Sequence, residues 1–385
     1  MRPLMITRLL CITAVLCALS GHTQATPFTP SHDDEVVEVL RERPLSAQEK
    51  QWRQLRAQAR AEPFNAILAA QVARQAIDWS RHDGDPRLMG QAQAALSIWW
   101  QQPNPPADIR LLRATILQST HDFDAALRDL QALVKAQPNN AQAWLTLASV
   151  LQVTGQYASA RTACDGLQQA HATWHHQVCQ LELASLQGQA VRAQAGLNLL
   201  AQRAPADLTA YINLVRAELA ERLGQASEAE TLYQGLLAQD ADAYTEGAYA
   251  DLLLDQHRPQ DAIARLQRWQ RNDSLLLRLA QAYVATNDAR ATQAIQALRA
   301  RFAAAHARGD NVHRREEARF TLHLLKQPDK ALKLAVANWQ VQKEPADARI
   351  LLEAALAAHE PEAAAPARLF IQQSGWADKR LEGLL

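Results

Sequence analysis

The chain has 385 residues, enough for two or three globular domains or for one long array of repeats. Its 40 Lys and Arg residues balance its 40 Asp and Glu residues, which excludes the one-sign basic surface of a general nucleic-acid binder. Only 13 Gly and 16 Pro interrupt a sequence that is 48% hydrophobic. Because sandwiches, barrels and disordered chains need more turn formers or unbalanced charge, this composition predicts an all-α protein.

The first 25 residues have the pattern of a secretory signal peptide. Two arginines precede an apolar run over residues 9–19, and small residues end the segment at Ala25. An uncleaved membrane anchor is the alternative, but the run is shorter than the roughly 20 apolar residues that a spanning helix needs. We therefore expect residues 1–25 to be removed and the exported protein to begin at Thr26. No transmembrane segment is predicted after this cleavage.

Residues 26–45 are rich in Thr, Pro and acidic residues, and we expect them to form a loosely ordered leader. Residues 46–106 contain three stretches with helical patterning, separated by prolines and by a Gly-containing turn. We interpret this region as atypical N-terminal helical repeats, because the end of a repeat array must cap an exposed apolar face. A separate small helical domain is the alternative, since residues 102–106 include three prolines that could act as a hinge.

A repeated pattern begins at residue 107. The segment 141–167 carries, at repeat positions 4, 7, 8, 11, 15, 17, 20 and 27, the residues Trp144, Leu147, Ala148, Leu151, Gly155, Tyr157, Ala160 and Leu167. Parts of the same pattern recur in register in residues 107–140 and 174–207. These residues closely resemble the tetratricopeptide repeat.

The resemblance implies a right-handed α-solenoid built from antiparallel helix pairs. Small residues such as Ala148 and Ala160 let the two helices of a pair approach closely, and large apolar residues around them fill the core. The pattern continues, more loosely, to give a tetratricopeptide array over residues 107–288. Residues 289–385 are predicted to form degenerate C-terminal helical repeats.

We find none of the short motifs that mark common hydrolases, nucleotide-binding loops or zinc proteases, so no enzyme activity and no cofactor are predicted. His171, His175 and Cys179 would align on one continuous helix as the start of a metal site. The repeat frame places a turn near residues 171–173, which would separate His171 from the other two. Solvated histidines are therefore the preferred interpretation, and no metal site is predicted.

Cys164 and Cys179 are the two cysteines that remain after the signal peptide. The repeat frame puts Cys164 on the second helix of one unit and Cys179 on the first helix of the next, so the two side chains can meet. An exported protein lies where disulfides persist. A Cys164–Cys179 bond and a pair of buried thiols both remain open at this point.

The resemblance also implies where a partner would bind, because the first helix of each unit lines the concave groove. The groove-facing candidates in that frame are Gln118, Ser149, Gln152, Glu182, Ser185, Arg216, Asp251 and Gln281. Such a mixed polar surface suits a protein or peptide segment better than a nucleic acid, which would favour basic residues of one sign. A merely solvated inner face is the alternative.

These patterns predict a non-catalytic scaffold or adaptor that binds a protein segment in its concave groove. The signal peptide indicates the bacterial periplasm or, alternatively, the cell exterior. A second hypothesis is a structural subunit of an envelope polysaccharide-export or outer-membrane assembly complex. An enzyme with an unfamiliar site carried on the solenoid is a remote third.

Overall fold

The computed structural model describes His32, Glu35, residues 44–310 and residues 312–385. The predicted signal peptide and nearly all of the predicted leader lie outside the described residues. The chain divides into two compact parts, residues 1–50 and residues 51–385. In the described residues of the first part, a helix begins at Ala47.

The described residues form α-helices and two short 3-10 turns, and no strand occurs among them. The helices are α1 Ala47–Ala61, α2 Ala66–Asp83, α3 Pro86–Ala95, α4 Ser97–Trp100, α5 Ala107–Ser119, α6 Phe123–Ala136, α7 Ala141–Val153, α8 Tyr157–Gln169, α9 Thr173–Ser185, α10 Ala190–Ala201, α11 Ala206–Arg222, α12 Ala226–Gln239, α13 Ala243–Asp255, α14 Pro259–Leu266, α15 Asp273–Ala285, α16 Arg290–Ala307, α17 Arg314–His323, α18 Pro328–Trp339, α19 Pro345–Ala357 and α20 Ala365–Ser374. The 3-10 turns are Gln267–Trp269 and Pro361–Ala364. None of the helices in this part of the chain combines the length and apolarity needed to cross a membrane.

From α5 onward, successive helices pack in pairs, which we number as units one (α5 and α6) to eight (α19 and α20). At the contact between α7 and α8 the small residues Ala148 and Ala160 are both buried, as the repeat pattern requires. Trp144 lies flat against Gly166 on α8, where a methyl group would come within 2.3 Å of the indole. The predicted all-α solenoid of helix pairs is confirmed.

The turn between the two helices of every unit contains one residue in the left-handed backbone conformation. These residues are His121, Gly155, Gly188, Gly224, His257, Asn287, Lys326 and His359, with φ between 54° and 77°. Only three are glycine, the residue that the sequence pattern emphasises. Histidine and asparagine tolerate this conformation better than most residues, so units without glycine at this position can still form the same turn. The left-handed residue therefore fixes the register of all eight units.

The C-terminal segment, residues 375–385, and the helices before it pack against the turns of units two to four. The backbone N–H of Lys343 donates to the carbonyl of Val153 (2.8 Å), and the N–H of Lys379 donates to the carbonyl of Arg222 (2.8 Å). The indole N–H of Trp376 donates to the hydroxyl of Tyr157 (2.9 Å). One continuous hydrophobic core consequently joins α5–α9 to α17–α20 and the C-terminal segment.

This packing explains why units two and four have glycine at their turns. A Cβ on Gly155 would lie 2.9 Å from the ring of Phe370, and a Cβ on Gly224 would lie 3.0 Å from Lys379. A left-handed backbone by itself does not require glycine, because His257 adopts it in unit five. Glycine is required where the C-terminal part of the chain approaches the turn.

Candidate functional site

The first helices of units three to five present two rows of side chains on one face. With the left-handed residue counted as repeat position 15, position 9 is Glu182 in α9, Glu218 in α11 and Asp251 in α13. Position 2 of the same helices is His175, Tyr211 and Tyr244. Residues seven apart lie on one face of a helix, so the rings form a row beside the acids. We call the surface formed by His175, Glu182, Tyr211, Glu218 and Tyr244 the inner groove.

Hydrogen bonds and ring contacts link the inner groove to its surroundings. The Gln152 amide donates to Glu182 Oε1 (2.7 Å), and the Tyr244 hydroxyl donates to Glu218 Oε1 (2.5 Å). The rings of His175 and Tyr211 stack with their centroids 6.3 Å apart. Tyr244 is 61% exposed, so the inner groove is open to solvent.

Protein surrounds the two glutamates closely enough to change their acidity. Loss of hydration raises the pKa of Glu182, against the opposing hydrogen bond from Gln152 and the positive charge of Arg222. The same desolvation raises the pKa of Glu218 to about 7, and the negative charge of Glu182 adds to this effect. Carboxyl groups perturbed in this way within an accessible cleft mark a candidate functional site.

Asp251, the next acid in the row, has a different environment. Arg278 lies 2.6 Å from one of its oxygens and Arg319 lies 2.7 Å from the other. Burial alone would raise the pKa of Asp251, but the two guanidinium groups outweigh it and hold this pKa below its ordinary value. Asp251 is thus neutralised within the chain.

The remaining predicted groove residues have varied surroundings. Gln118 is half-buried, whereas Ser149 is exposed. Ser185 is buried, and its hydroxyl accepts a hydrogen bond from Arg222 (2.7 Å). The side-chain oxygen of Gln281 is buried and has no hydrogen-bond partner among the described residues. The structure therefore joins Gln152 to Glu182, places Glu182 and Ser185 near Arg222, and leaves Ser149 exposed.

The prediction for Arg216 is wrong. Its guanidinium bonds Asn198 on α10 (2.7 Å) and lies 3.7 Å from Glu228 on α12, so it points toward the second helices of units three and four. Arg216 falls at position 9 only if the two extra residues of this unit lie between Arg216 and Gly224. The extra residues instead lengthen α11 at its beginning, which makes Glu218, not Arg216, the residue at position 9. Counting backward from the left-handed Gly224 would have identified it.

The cysteines and histidines of the neighbouring turn are also resolved. Cys164 and Cys179 form a disulfide, with their Cα atoms 5.7 Å apart. His171 has a left-handed backbone (φ 59°) in the turn before α9 and is separated from His175 by the start of that helix. In the part of the chain that the structure describes, no three His, Cys, Asp or Glu side chains are placed to hold a metal ion.

Comparisons with known proteins match part of the chain to a family. Residues 117–178 match the family model described as tetratricopeptide repeat. No curated protein matches the chain significantly. A tetratricopeptide repeat protein from Parabacteroides merdae is 15% identical, with a TM-score of 0.39, over 60% of this chain and 93% of its own.

Two further solved structures are similar to the chain. Human IFIT1, solved as a dimer with m7Gppp-AAAA, is 13% identical over 85% of both chains, with a TM-score of 0.45. A chain of the APC/C hetero-tetramer Cut9-Hcn1 is 16% identical over 80% of this chain and 60% of its own, with a TM-score of 0.44. The family match covers unit two with the adjoining parts of units one and three, and together with the eight helix pairs it supports assignment to the tetratricopeptide repeat superfamily.

Proposed function

We propose that this protein is a non-catalytic interaction scaffold that holds a segment of a protein partner in the inner groove. The tetratricopeptide fold is typical of protein-interaction scaffolds, because stacked helix pairs expose an extended binding surface. The observation that carries the proposal is the pair of glutamates, Glu182 and Glu218, beside the exposed ring of Tyr244. A surface that served only for stacking would bury this ring or pair these charges.

We further propose that the protein works in the bacterial periplasm, with the cell exterior as the alternative. Two independent features support export. The first 25 residues have the charge, apolar run and small residues of a signal peptide. The Cys164–Cys179 disulfide is a bond that oxidising compartments preserve.

Site-specific photo-crosslinking in the native host tests where the partner binds. A photoreactive phenylalanine analogue replaces Tyr244 in the inner groove or, as the matched control, Leu199 on α10. Both positions are more than half exposed, so both probes reach solvent. We expect a discrete adduct from position 244 and not from position 199. Adducts only from position 199 would refute groove binding.

Cell fractionation and intact-mass measurement test export. The periplasmic fraction should contain a protein that begins at Thr26 and carries the disulfide. A cytoplasmic protein that retains residues 1–25 would refute the proposed location.

A further inference from the structure

Four first helices carry an acid at repeat position 9, and the chain neutralises only two of them. Asp251 in α13 receives Arg278 and Arg319. Glu353 in α19 receives Arg349 (2.8 Å) and His323 (3.0 Å). This position thus accepts guanidinium groups within the protein itself.

Glu182 and Glu218 lack such a partner. Among the described residues, no cationic group lies within 4 Å of either carboxylate. Gln152 and Tyr244 each occupy one carboxylate oxygen, and the second oxygen of each glutamate forms no hydrogen bond with any described residue. Each glutamate therefore keeps an acceptor oxygen available, and a cationic ligand would stabilise its charged form.

We propose that Glu182 and Glu218 bind arginine or lysine side chains of a basic protein segment seated in the inner groove. The inference rests on the proposed function and specifies the partner's chemistry. A guanidinium group forms short, charge-assisted hydrogen bonds with a carboxylate and stacks on aromatic faces. Tyr244, which is exposed beside Glu218, supplies such a face at position 2 of α13.

Two arginines near the inner groove, Arg222 and Arg315, bind other residues of the chain. Arg222 donates to the hydroxyl of Ser185 (2.7 Å). Arg315 lies 2.8 Å from Glu344 and 3.5 Å from Asp347. These contacts hold both guanidinium groups away from direct pairing with Glu182 and Glu218, and a basic ligand completes the pairing that Asp251 obtains from its own chain.

Binding of short synthetic peptides to the full-length mature protein tests the inference. The probe alternates alanine with arginine and carries a fluorophore, and fluorescence anisotropy reports its affinity at low ionic strength. Two control peptides replace arginine by citrulline, which keeps the shape but removes the charge, or by glutamate. We expect only the arginine peptide to bind, with affinity that falls as salt rises.

Paired variants locate the binding site. Glu182→Gln and Glu218→Gln keep the side-chain shape, and together they should weaken arginine-peptide binding by at least about tenfold, as expected when charged hydrogen bonds are lost. The matched control replaces two exposed acids on second helices, Asp124→Asn on α6 and Asp329→Asn on α18, and should leave the affinity unchanged. Circular dichroism confirms that each variant is folded.

The outcomes separate this inference from the proposed function. Equal binding of the arginine and citrulline peptides, or equal weakening by both pairs of variants, would overturn the cationic specificity. If the native partner still crosslinks from position 244 in that case, groove binding stands without it. If the crosslinks instead map to the control position, the proposed function fails as well.

Discussion

Replacing the turn glycine of unit two by asparagine tests whether C-terminal packing dictates glycine there. Gly155 has φ +77°, and asparagine already occupies the equivalent turn of unit six at Asn287. The backbone conformation alone should therefore cost Gly155→Asn little. The new side chain, however, must enter space where a Cβ would lie 2.9 Å from Phe370 and 2.8 Å from Lys343.

The protein can accommodate the new side chain by small local shifts or by displacing the C-terminal residues packed on the turn, and we expect the response with the lower free-energy cost. Overpacking a filled site costs about 1–3 kcal/mol when neighbours shift locally. Moving Phe370 away from the turn would also release Trp376, whose ring packs against it with centroids 5.4 Å apart, and re-exposing about 200 Å² of this buried tryptophan costs about 5 kcal/mol. Local strain is the smaller cost. Gly155→Asn should lower the free energy of unfolding by about 1–3 kcal/mol while the segment stays packed.

Urea denaturation followed by tryptophan fluorescence measures the loss, and His257→Asn is the matched control. His257 has the same left-handed conformation (φ 57°) in a turn to which residues 375–385 form no hydrogen bond, so its replacement should change stability by less than about 0.5 kcal/mol. Hydrogen exchange at the Lys379 amide, which bonds the Arg222 carbonyl, reports whether the segment has loosened. Equal effects of the two substitutions would refute the packing explanation for glycine.

Reduction of the Cys164–Cys179 disulfide, or the Cys164→Ser/Cys179→Ser double replacement, should lower the free energy of unfolding by about 3 kcal/mol, the chain-entropy value for a 15-residue loop. Urea titrations with and without reductant measure this change. No change on reduction would contradict it. Glu218 has a pKa of about 7 in the folded protein and 4.5 in the unfolded chain, so between these two pH values the folded state binds more protons. The free energy of unfolding therefore falls as pH rises from 4.5 to 7, by at most about 3 kcal/mol. Glu218→Gln should remove that fall and be the more stable form above pH 7, whereas identical pH curves for variant and wild type would exclude it. Trp376→Phe removes the hydrogen bond to Tyr157 but keeps most of the ring contact, so urea titration should show a loss of about 1–2 kcal/mol, and a neutral effect would mean that the bond contributes nothing.

The sequence predicts the helix pairs well because their signal is local and repeated. Ala148, Ala160 and Trp144 recur at fixed spacing, and each has the role in the helix contact that its position indicates. The sequence places position 9 correctly where the repeat has no insertion before its turn, as for Glu182. At Arg216 the repeat numbering was wrong by two residues. The sequence itself is the same wherever the two extra residues are assigned, and only the left-handed turn residue shows where they belong.

The packing of the C-terminal part on the turns of units two to four is invisible to the repeat pattern, since it joins residues about 200 positions apart through contacts that no local spacing encodes. The only feature of the repeats that reflects this packing is which residue occupies the left-handed position of each turn. Left-handed turns accept histidine, asparagine or lysine in units where space allows, whereas Gly155 and Gly224 stand where Phe370 and Lys379 approach. A run of turn glycines inside an array that otherwise tolerates larger residues therefore marks the surface that another part of the chain covers.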